Sequence, residues 1–347
     1  MKDLLPGLTL ASLFSGRKKW VSIAVILIAV SSAANFGYFV WSPRGSGETV
    51  KIVELAKGKT IRKFADELEA QGVIRSAFMF QLLARLNGAS AKAKAGTYQL
   101  NDAMSPSEIL RKLVSGEVYE KKFALPEGYS IFQAAELLDA KKLFKGEEFL
   151  QACRDRQLLQ QIGINAATAE GYLYPGTYNL LKMEEPAALV KAMAAQASRL
   201  YAERFAPLEK GARLSRHQIL TLASIVEKEA VTPEEKPLIA SVFLNRLKKK
   251  MPLQSDPTSV YGVRAFSGKV SGEDVRRNSA YNTYVINGLP PGPIGNPSEG
   301  AIEAVLKPAV TGYYYFVAKK DGSHHFSATL DEHNRAVNLY LKGKGSR

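Results

Sequence analysis

The spacing of hydrophobic residues changes along the chain. Residues 20–41 form one apolar run without a charged side chain. From residue 50 onward, short alternating segments typical of strands lie between segments whose apolar residues recur at helical spacing. After residue 250 the periodicity weakens over about forty residues, a length at which an irregular segment is usually functional. The pattern predicts an N-terminal apolar helix followed by a mixed α+β chain.

The apolar run, WVSIAVILIAVSSAANFGYFVW, has the length of about 20 residues that a bilayer-spanning helix requires. Trp20 and Trp41 stand at its ends, as in the aromatic belts of membrane proteins. Three cations precede it, which predicts that residues 1–19 stay in the cytoplasm and that the chain beyond the polar linker 42–49 lies outside. A cleaved signal peptide is the alternative, but the run is long for one and lacks a clear cleavage site.

Residues 50–117 are predicted to form a small α+β module. Strands are expected at its start and at residues 95–100. Thr60, Ser76 and Ser105 are placed to cap three helices. Its pattern resembles a LysM-like module, a type that generally binds glycans containing N-acetylglucosamine. A plain βααβ domain without a ligand is the alternative.

The opening of this module recurs further along the chain. Two sets of residues share one spacing: Gly58, Thr60, Ile61, Ala65 and Leu68, then Gly128, Ser130, Ile131, Ala135 and Leu138. The likeness ends after Phe149, so residues 118–160 are predicted to be a partial second copy and a connecting segment. Shared rules of helix capping, without a true repeat, are the alternative.

The helix after Ser215 carries two acidic residues in unusual positions. At about 100° per residue, Glu227 falls within the apolar arc and Glu229 falls on its flank. A carboxylate on an apolar face is costly unless it is paired, hydrogen-bonded or protonated. A raised pKa is also what a general acid needs near neutral pH. The pattern alone fits either a catalytic glutamate or a structural one that pairs with an arginine.

The next helix is predicted to begin with a capping box of Thr232 and Glu235 and to end in the lysines at 248–250. A hairpin with its turn at residues 320–323 and a helix through His333 follow. Residues 161–343 are therefore predicted to be a mixed α+β domain.

Composition restricts the partners. The 347 residues carry a net charge of +14, which indicates an anionic neighbour. The sequence has no nucleic-acid-binding signature, so nucleic acid is not expected as a partner. Cys153 is the single cysteine, which excludes an internal disulfide. The four histidines lack metal-ligand spacing, so neither a metal nor another cofactor is predicted.

Several segments, in one order, resemble the endolytic murein transglycosylases of the YceG-like family. The segments are LASIVEKEA, VFLNRL, LQSDPT, AYNTY, GLPPGPI, YYYFVA and HHFSATLDEHN, and EGYLYPGTY and the apolar anchor also fit. Gly176, Gly295 and Ser298 depart from the family's usual pattern. Gly176 stands where the family usually has an aspartate, which removes any role for that aspartate here.

The resemblance implies an enzyme of the bacterial inner membrane, with one membrane-spanning helix and its catalytic domain outside the cytoplasm. Such enzymes cut the β-1,4 bond between N-acetylmuramic acid and N-acetylglucosamine within nascent peptidoglycan strands. They leave a 1,6-anhydromuramic end and limit strand length. By analogy, peptidoglycan synthases (penicillin-binding proteins) are expected as partners.

The resemblance also carries roles for residues. Glu227 corresponds to the family's catalytic glutamate, which acts as acid and then as base. Glu229 is its expected support or a contact to substrate. The other residues expected to bind substrate are Glu170, Asn245, Gln254, Ser255, Asp256, Tyr281, Asn282 and Thr283.

Two other functions fit the sequence. A non-catalytic, membrane-anchored scaffold would bind glycan through the same module and charge without cutting it. A hydrolytic muramidase would need a second carboxylate, for which Asp256 is the candidate, and its products would carry the mass of added water.

Overall fold

The computed structural model describes residues 17–181, 183–211 and 213–341. They divide into two compact units, with the boundary between Glu120 and Lys121. Each unit has its own hydrophobic core. The predicted mixture of helices and strands behind an N-terminal apolar helix is confirmed.

The first unit consists of a long apolar helix and a small module. Its elements are α1 (Arg17–Trp41), β1 (Val50–Leu55), α2 (Ile61–Ala70), α3 (Ala77–Leu86), β2 (Gly96–Asn101) and α4 (Pro106–Ser115). The two strands pair antiparallel, with Val53 opposite Tyr98. The βααβ order is the one expected for residues 50–101, and the LysM-like identity of the module stays a prediction.

Three hydroxyl side chains set the helix starts of this module. Thr60, Ser76 and Ser105 each accept a hydrogen bond, at 3.3 Å, from the backbone N–H three residues ahead. Each of them satisfies a donor that the first helical turn leaves without an intrahelical partner. The helix starts predicted from the sequence are therefore confirmed.

Within the described ranges, one helical segment is long and apolar enough to cross a bilayer. It is Lys19–Trp41, of 23 residues. At about 1.5 Å per residue it extends about 35 Å, compared with about 30 Å for the hydrocarbon core of a bilayer.

The second unit is built mostly from helices, with two short strand pairs. Its elements are β3 (Lys122–Leu125), α5 (Ile131–Ala140), α6 (Gly146–Ala152), α7 (Arg156–Gln161), β4 (Gly176–Asn179), α8 (Pro186–Leu200), α9 (Ala206–Glu209), α10 (Arg216–Glu229), α11 (Lys236–Lys248), α12 (Asp256–Val260), α13 (Gly272–Arg276), α14 (Glu299–Leu306), β5 (Tyr315–Ala318), β6 (His324–Ser327) and α15 (Leu330–Tyr340). A π-helical turn, Tyr201–Phe205, joins α8 to α9, and a 3₁₀ turn, Pro233–Glu235, precedes α11.

The partial repeat has a structural counterpart. Gly58 and Gly128 both have positive φ angles, +86° and +73°, and each follows a strand. Ser130 caps α5 as Thr60 caps α2. However, β3 pairs with β4, so residues 121–160 share a core with the segment that follows. The predicted domain boundary at residue 160 stays a prediction.

Helix α10 lies at the centre of the second unit. Ser215 and Gln218 form a capping box at its start. Residues 219–226 are all buried, and α10 packs against α11, α12 and α14. A helix that is buried on every side belongs to a protein core, and its last turn then carries side chains to the edge of that core.

The capping box predicted at Thr232 and Glu235 is wrong. Thr232 makes no capping hydrogen bond through its side chain. Glu235 instead accepts a bond from the backbone N–H of His324 at 2.6 Å and pairs with its Nδ1 at 2.8 Å. The carboxylate is held by the β5–β6 hairpin and does not turn back to its own helix. The hairpin and its turn at residues 320–323 are as predicted.

Gly171 and Gly163 test how tightly the second unit is packed. Both have positive φ angles, but a Cβ at Gly171 would lie 2.4 Å from Pro293, whereas a Cβ at Gly163 would meet nothing within 4 Å. We expect Gly163→Ala to lower the free energy of unfolding by about 1 kcal/mol through backbone strain alone. Gly171→Ala should cost a further 1–3 kcal/mol or so because of overpacking. Denaturant unfolding of the full chain in detergent measures both, and equal losses would contradict the close approach.

Candidate active site

The last turn of α10 directs three consecutive charged side chains into different surroundings. Glu227, Lys228 and Glu229 are separated by about 100° each around the helix axis. All three are partly or largely buried. The two glutamates therefore meet different parts of the fold, although one residue separates them.

Glu227 is held by an ion pair and by a helix N-terminus. Lys236 Nζ donates to both carboxylate oxygens at 3.1 Å, and Ser298 donates its backbone N–H at 3.0 Å and also its hydroxyl. The Glu227 and Lys236 side chains are 11% and 12% exposed. Ser298 is also the N-cap of α14. The carboxylate thus joins the ends of α10, α11 and α14. This is the ion pairing expected of a structural glutamate, with a lysine in place of the arginine.

Glu229 lines an open cavity. The cavity has a volume of about 280 Å³, and we call it the Glu229 cleft. Its lining residues are Glu229, Arg246, Leu253, Gln254, Asp256, Tyr284, Phe316 and His333. Glu229 Oε1 accepts a hydrogen bond from Ser255 Oγ at 2.5 Å. This carboxyl thus combines a fixed orientation with access to a space that a ligand can enter.

The surroundings of Glu229 favour its protonated form. Burial raises the pKa of the Glu229 carboxyl to about 7, and the negative charge of Asp256 adds to the rise. The Ser255 hydrogen bond and the positive charge of Arg246 oppose it. A carboxyl that titrates near neutral pH can both donate and accept a proton under physiological conditions.

Asp256 and Arg246 are oriented by neighbouring groups. Tyr284 donates its hydroxyl to Asp256 Oδ1 at 2.6 Å. Arg246 Nε donates to the carbonyl of Tyr314 at 2.6 Å, and its Nη1 donates to that of Leu253 at 2.8 Å. Burial lowers the pKa of Arg246, which nevertheless remains a cation. The cleft therefore contains fixed charges of both signs.

Four of the side chains predicted to bind substrate make contacts within the protein. The Asn282 amide is fully buried and donates to the carbonyls of residues 274, 275 and 277. Thr283 Oγ1, also buried, accepts from the Ser255 N–H at 2.9 Å. Asn245 Nδ2 donates at 3.0 Å to the carbonyls of Thr311 and Tyr313. Tyr281 stacks obliquely on Tyr261, with ring centroids 4.6 Å apart. These four side chains do not line the Glu229 cleft as described.

Glu170, also expected at the cleft, is a buried carboxyl elsewhere in the second unit. It is 1% exposed and accepts hydrogen bonds from Ile131 N at 3.0 Å, Tyr261 Oη at 3.0 Å and Asn296 Nδ2 at 3.2 Å. Burial raises its pKa to about 7. The side-chain oxygen of Asn296 also accepts hydrogen bonds from the N–H groups of Gly171 and Leu173, and these bonds hold the backbone that follows Glu170.

His333 is a cleft residue that sequence reasoning did not assign to the site. Its ring stacks on Tyr315 with centroids 5.2 Å apart. Within the described chain its Nδ1 is buried without a hydrogen-bond partner. Burial, then the charges of Arg246 and His325, lower its pKa and keep the imidazole neutral. Its position near the C-terminal end, about a hundred residues from Glu229, offered no spacing signal.

Comparison with known proteins places this site in a family. The family model described as YceG-like matches residues 53–339. The chain belongs to the YceG-like family. Within the described residues, no group of three or more His, Cys, Asp or Glu side chains could hold a metal ion.

Members of the YceG-like family match the chain over most of its length. The endolytic murein transglycosylase of Bacillus subtilis (strain 168) is 33% identical over 92% of this chain and 93% of its own length. That of Streptococcus pneumoniae serotype 2 (strain D39 / NCTC 7466) is 28% identical over 93% of this chain and 65% of its own. The crystal structure of a putative yceG-like protein from Listeria monocytogenes is similar, with a TM-score of 0.59 and 33% identity over 83% of this chain and 99% of that one.

The two glutamates of α10 should respond oppositely when their charge is removed. Between about pH 4.5 and 7 the folded state holds a proton at Glu229 that the unfolded chain releases, so the free energy of unfolding falls as pH rises. Glu229→Gln removes this penalty and should raise stability at pH 8 by about 1–3 kcal/mol. Glu227→Gln leaves Lys236 without its carboxylate and should cost about 3 kcal/mol.

Thermal unfolding of the full chain in detergent at pH 5 and pH 8 measures these changes. The gain from Glu229→Gln should shrink at pH 5, because the wild-type carboxyl is then protonated. A loss of stability from Glu229→Gln at pH 8, equal to that from Glu227→Gln, would contradict the difference between their surroundings.

Proposed function

We propose that this chain is a membrane-anchored lytic transglycosylase. It would cut the β-1,4 bond between N-acetylmuramic acid and N-acetylglucosamine within peptidoglycan strands. The observation that carries the proposal is Glu229, a largely buried carboxyl with a pKa raised to about 7 that lines an open cleft. The names of the curated relatives, endolytic murein transglycosylases, support the same reaction class.

The reaction needs one group that gives and then takes a proton. The Glu229 carboxyl protonates the glycosidic oxygen as its bond to C1 of the muramic residue breaks. The resulting carboxylate removes the proton from the C6 hydroxyl as that oxygen bonds to C1. The products are a free 4-hydroxyl and a 1,6-anhydro ring, and Glu229 regains its proton. No water is consumed, because the intramolecular hydroxyl takes its place through proximity.

Glu229 is a better candidate for this role than Glu227, which the sequence reasoning favoured. Glu227 is bound to the Lys236 ammonium and to two donors of Ser298. A carboxylate so engaged would first have to give up these contacts before it could act on a substrate. We therefore propose that Glu229 is the acid–base group and that Glu227 positions the end of α10.

The neighbouring charges suit both stages of the reaction. The negative charge of Asp256 favours protonated Glu229 before cleavage and also a positive charge that develops at C1. The Arg246 guanidinium favours the ionised Glu229 that follows proton donation. His333, neutral and adjacent to Tyr315, offers a hydrogen-bonding edge of the cleft without adding charge.

A hydrolytic muramidase is the second candidate, because Asp256 and Glu229 line the same cleft. Asp256 would then act as the second carboxylate, either on water or on the sugar. The two reactions differ in their products, since hydrolysis adds one water and leaves a reducing end.

The remaining elements extend the proposal. We propose that α1 anchors the chain in the inner membrane with residues 1–19 in the cytoplasm, which its length and flanking cations support. The βααβ module would bind glycan as LysM-like modules do. Peptidoglycan synthases remain the expected partners by analogy, and nucleic acid is not expected to bind.

Cleavage of stem-free glycan strands by the full chain in detergent tests the roles of the glutamates. Mass spectrometry should find new anhydromuramic ends. Glu229→Gln should lower the rate by about 10²–10⁴, because it removes the proton donor. Glu227→Gln should lower the rate of the folded enzyme far less, because the proton donor Glu229 is retained and only its positioning is weakened. Full activity of Glu229→Gln, or a loss in folded Glu227→Gln as large as that in Glu229→Gln, would overturn the assignment.

The pH dependence separates the two candidate reactions. Because Glu229 must be protonated to begin, kcat should fall as pH rises through about 7. Asp256→Asn removes a negative charge, so the falling limb should move to lower pH while the product stays anhydro. A loss of about 10²-fold or more at every pH in Asp256→Asn, with reducing ends from the wild type, would favour hydrolysis instead.

A further inference from the structure

The outer end of α1 is part of the first unit's core. Phe39 and Val40 are 4% and 9% exposed and belong to the same cluster as Phe80 and Leu110. α1 also contacts α3 and α4. The apolar helix and the module therefore form one body, and any constraint on the helix acts on the module as well.

Helix α3 is apolar on two opposite sides. Ala77, Phe80, Leu83 and Ala84 are buried in the core. Phe78, Leu82 and Leu86, spaced four residues apart, are 74%, 38% and 69% exposed. A surface helix normally places polar residues on its outer side. A row of large apolar side chains beside a helix that can cross a bilayer indicates contact with lipid.

A groove lies between the same elements. It has a volume of about 720 Å³, and we call it the α1–α3 groove. Its apolar lining residues are Phe36, Val40, Trp41, Leu83, Leu86, Leu110, Ala89 and Val114. Lys92 and Arg111 line it too. An apolar channel with two cations matches a molecule with a hydrocarbon chain and an anionic head group.

The length of α1 determines where this groove lies relative to the bilayer. About 20 residues cross the hydrocarbon, so a span that begins at Trp20 reaches the far side near Phe39. Tyr38 and Trp41, which are 62% and 74% exposed, stand at that level, where amphipathic aromatic rings collect. The groove residues from Phe36 to Trp41 thus lie where acyl chains meet head groups.

We propose that the α1–α3 groove binds an anionic phospholipid of the outer leaflet of the bilayer. Its acyl chain lies along Val40, Leu83 and Leu86, and its phosphate is held by Lys92 and Arg111. The exposed apolar row of α3 enters the same leaflet. This inference rests on the membrane anchor proposed above, and it is independent of the cleavage reaction. Its consequence is that the lipid fixes the tilt of the module against the membrane surface.

The two tryptophans make the groove directly observable. Trp20→Phe leaves Trp41, which lines the groove, as the single tryptophan of the full chain. The variant is reconstituted in vesicles of phosphatidylcholine containing an equal small fraction of brominated phosphatidylglycerol or brominated phosphatidylcholine. We expect clearly stronger quenching by the anionic lipid, because Lys92 and Arg111 attract the net negative head group of phosphatidylglycerol more strongly than the zwitterionic head group of phosphatidylcholine.

A matched pair of charge variants assigns the effect to the groove. Lys92→Gln with Arg111→Gln should abolish the preference for phosphatidylglycerol. Arg62→Gln with Lys63→Gln removes two exposed cations from α2, which does not line the groove, and should leave the preference unchanged. An equal loss in both double variants, or equal quenching by the two lipids in the parent, would overturn the lipid site.

A second reporter tests the exposed row of α3. Phe78→Trp in a chain with Trp20→Phe and Trp41→Phe should show blue-shifted emission and quenching by lipids brominated near the head group. Emission typical of water would overturn the insertion of α3. Emission that is blue-shifted but not quenched, with cross-links between copies, would assign the surface to a second copy of this chain instead.

Membrane anchoring and glycan cleavage are measured separately in the same vesicles. Resistance of the chain to carbonate extraction reports the anchor, and release of anhydromuramic ends reports cleavage. If the chain resists extraction but Trp41 shows no lipid preference, the groove proposal fails while the anchor stands.

Discussion

The ion pair between Glu227 and Lys236 joins three helix ends, and the position of the candidate site depends on it. Ser298 completes the joint, because it donates to Glu227 and caps α14 in the same place. Since α10 is a rigid helix, fixing Glu227 also fixes Glu229, which points about 200° away around the axis. The contacts of Glu227 thereby constrain the direction in which Glu229 points, toward Ser255 and the Glu229 cleft.

Three of the largely buried carboxyls in the second unit are held in different ways. Glu227 has a cation, Glu170 has donors from the backbone, a tyrosine and an amide, and Glu229 has one hydroxyl and an open space. Burial of a carboxylate is costly unless it is compensated. Glu170 and Glu229 both have raised pKa values, but Glu229 itself lines an open cavity, whereas Glu170 is 1% exposed. Access to a cavity, and not the raised pKa alone, therefore distinguishes Glu229 from Glu170.

Local features were predictable, whereas remote partners were not. The caps at Thr60, Ser130 and Ser215 depend on atoms within one helical turn, so they follow from nearby residues. Thr283 and Asn282 were expected to line the glycan cleft, yet Thr283 binds the Ser255 N–H, Asn282 binds the Arg277 carbonyl, and neither lines the Glu229 cleft. An amide or a hydroxyl serves either purpose equally well, and only the folded chain decides which donors and acceptors it meets.

The amino-acid sequence by itself determined the apolar N-terminal helix, the order of strands and helices, the family resemblance and the choice of α10 as the helix that carries the candidate glutamates. These follow from periodicity, capping and motif order, which act over short stretches of chain. Only the tertiary structure shows how the surroundings of the two glutamates of α10 differ. Lys236 and Ser298 approach one carboxylate, while Ser255 and Asp256 border the other. Electrostatic surroundings are set by whatever folding brings within a few ångströms, and helical spacing cannot supply that information.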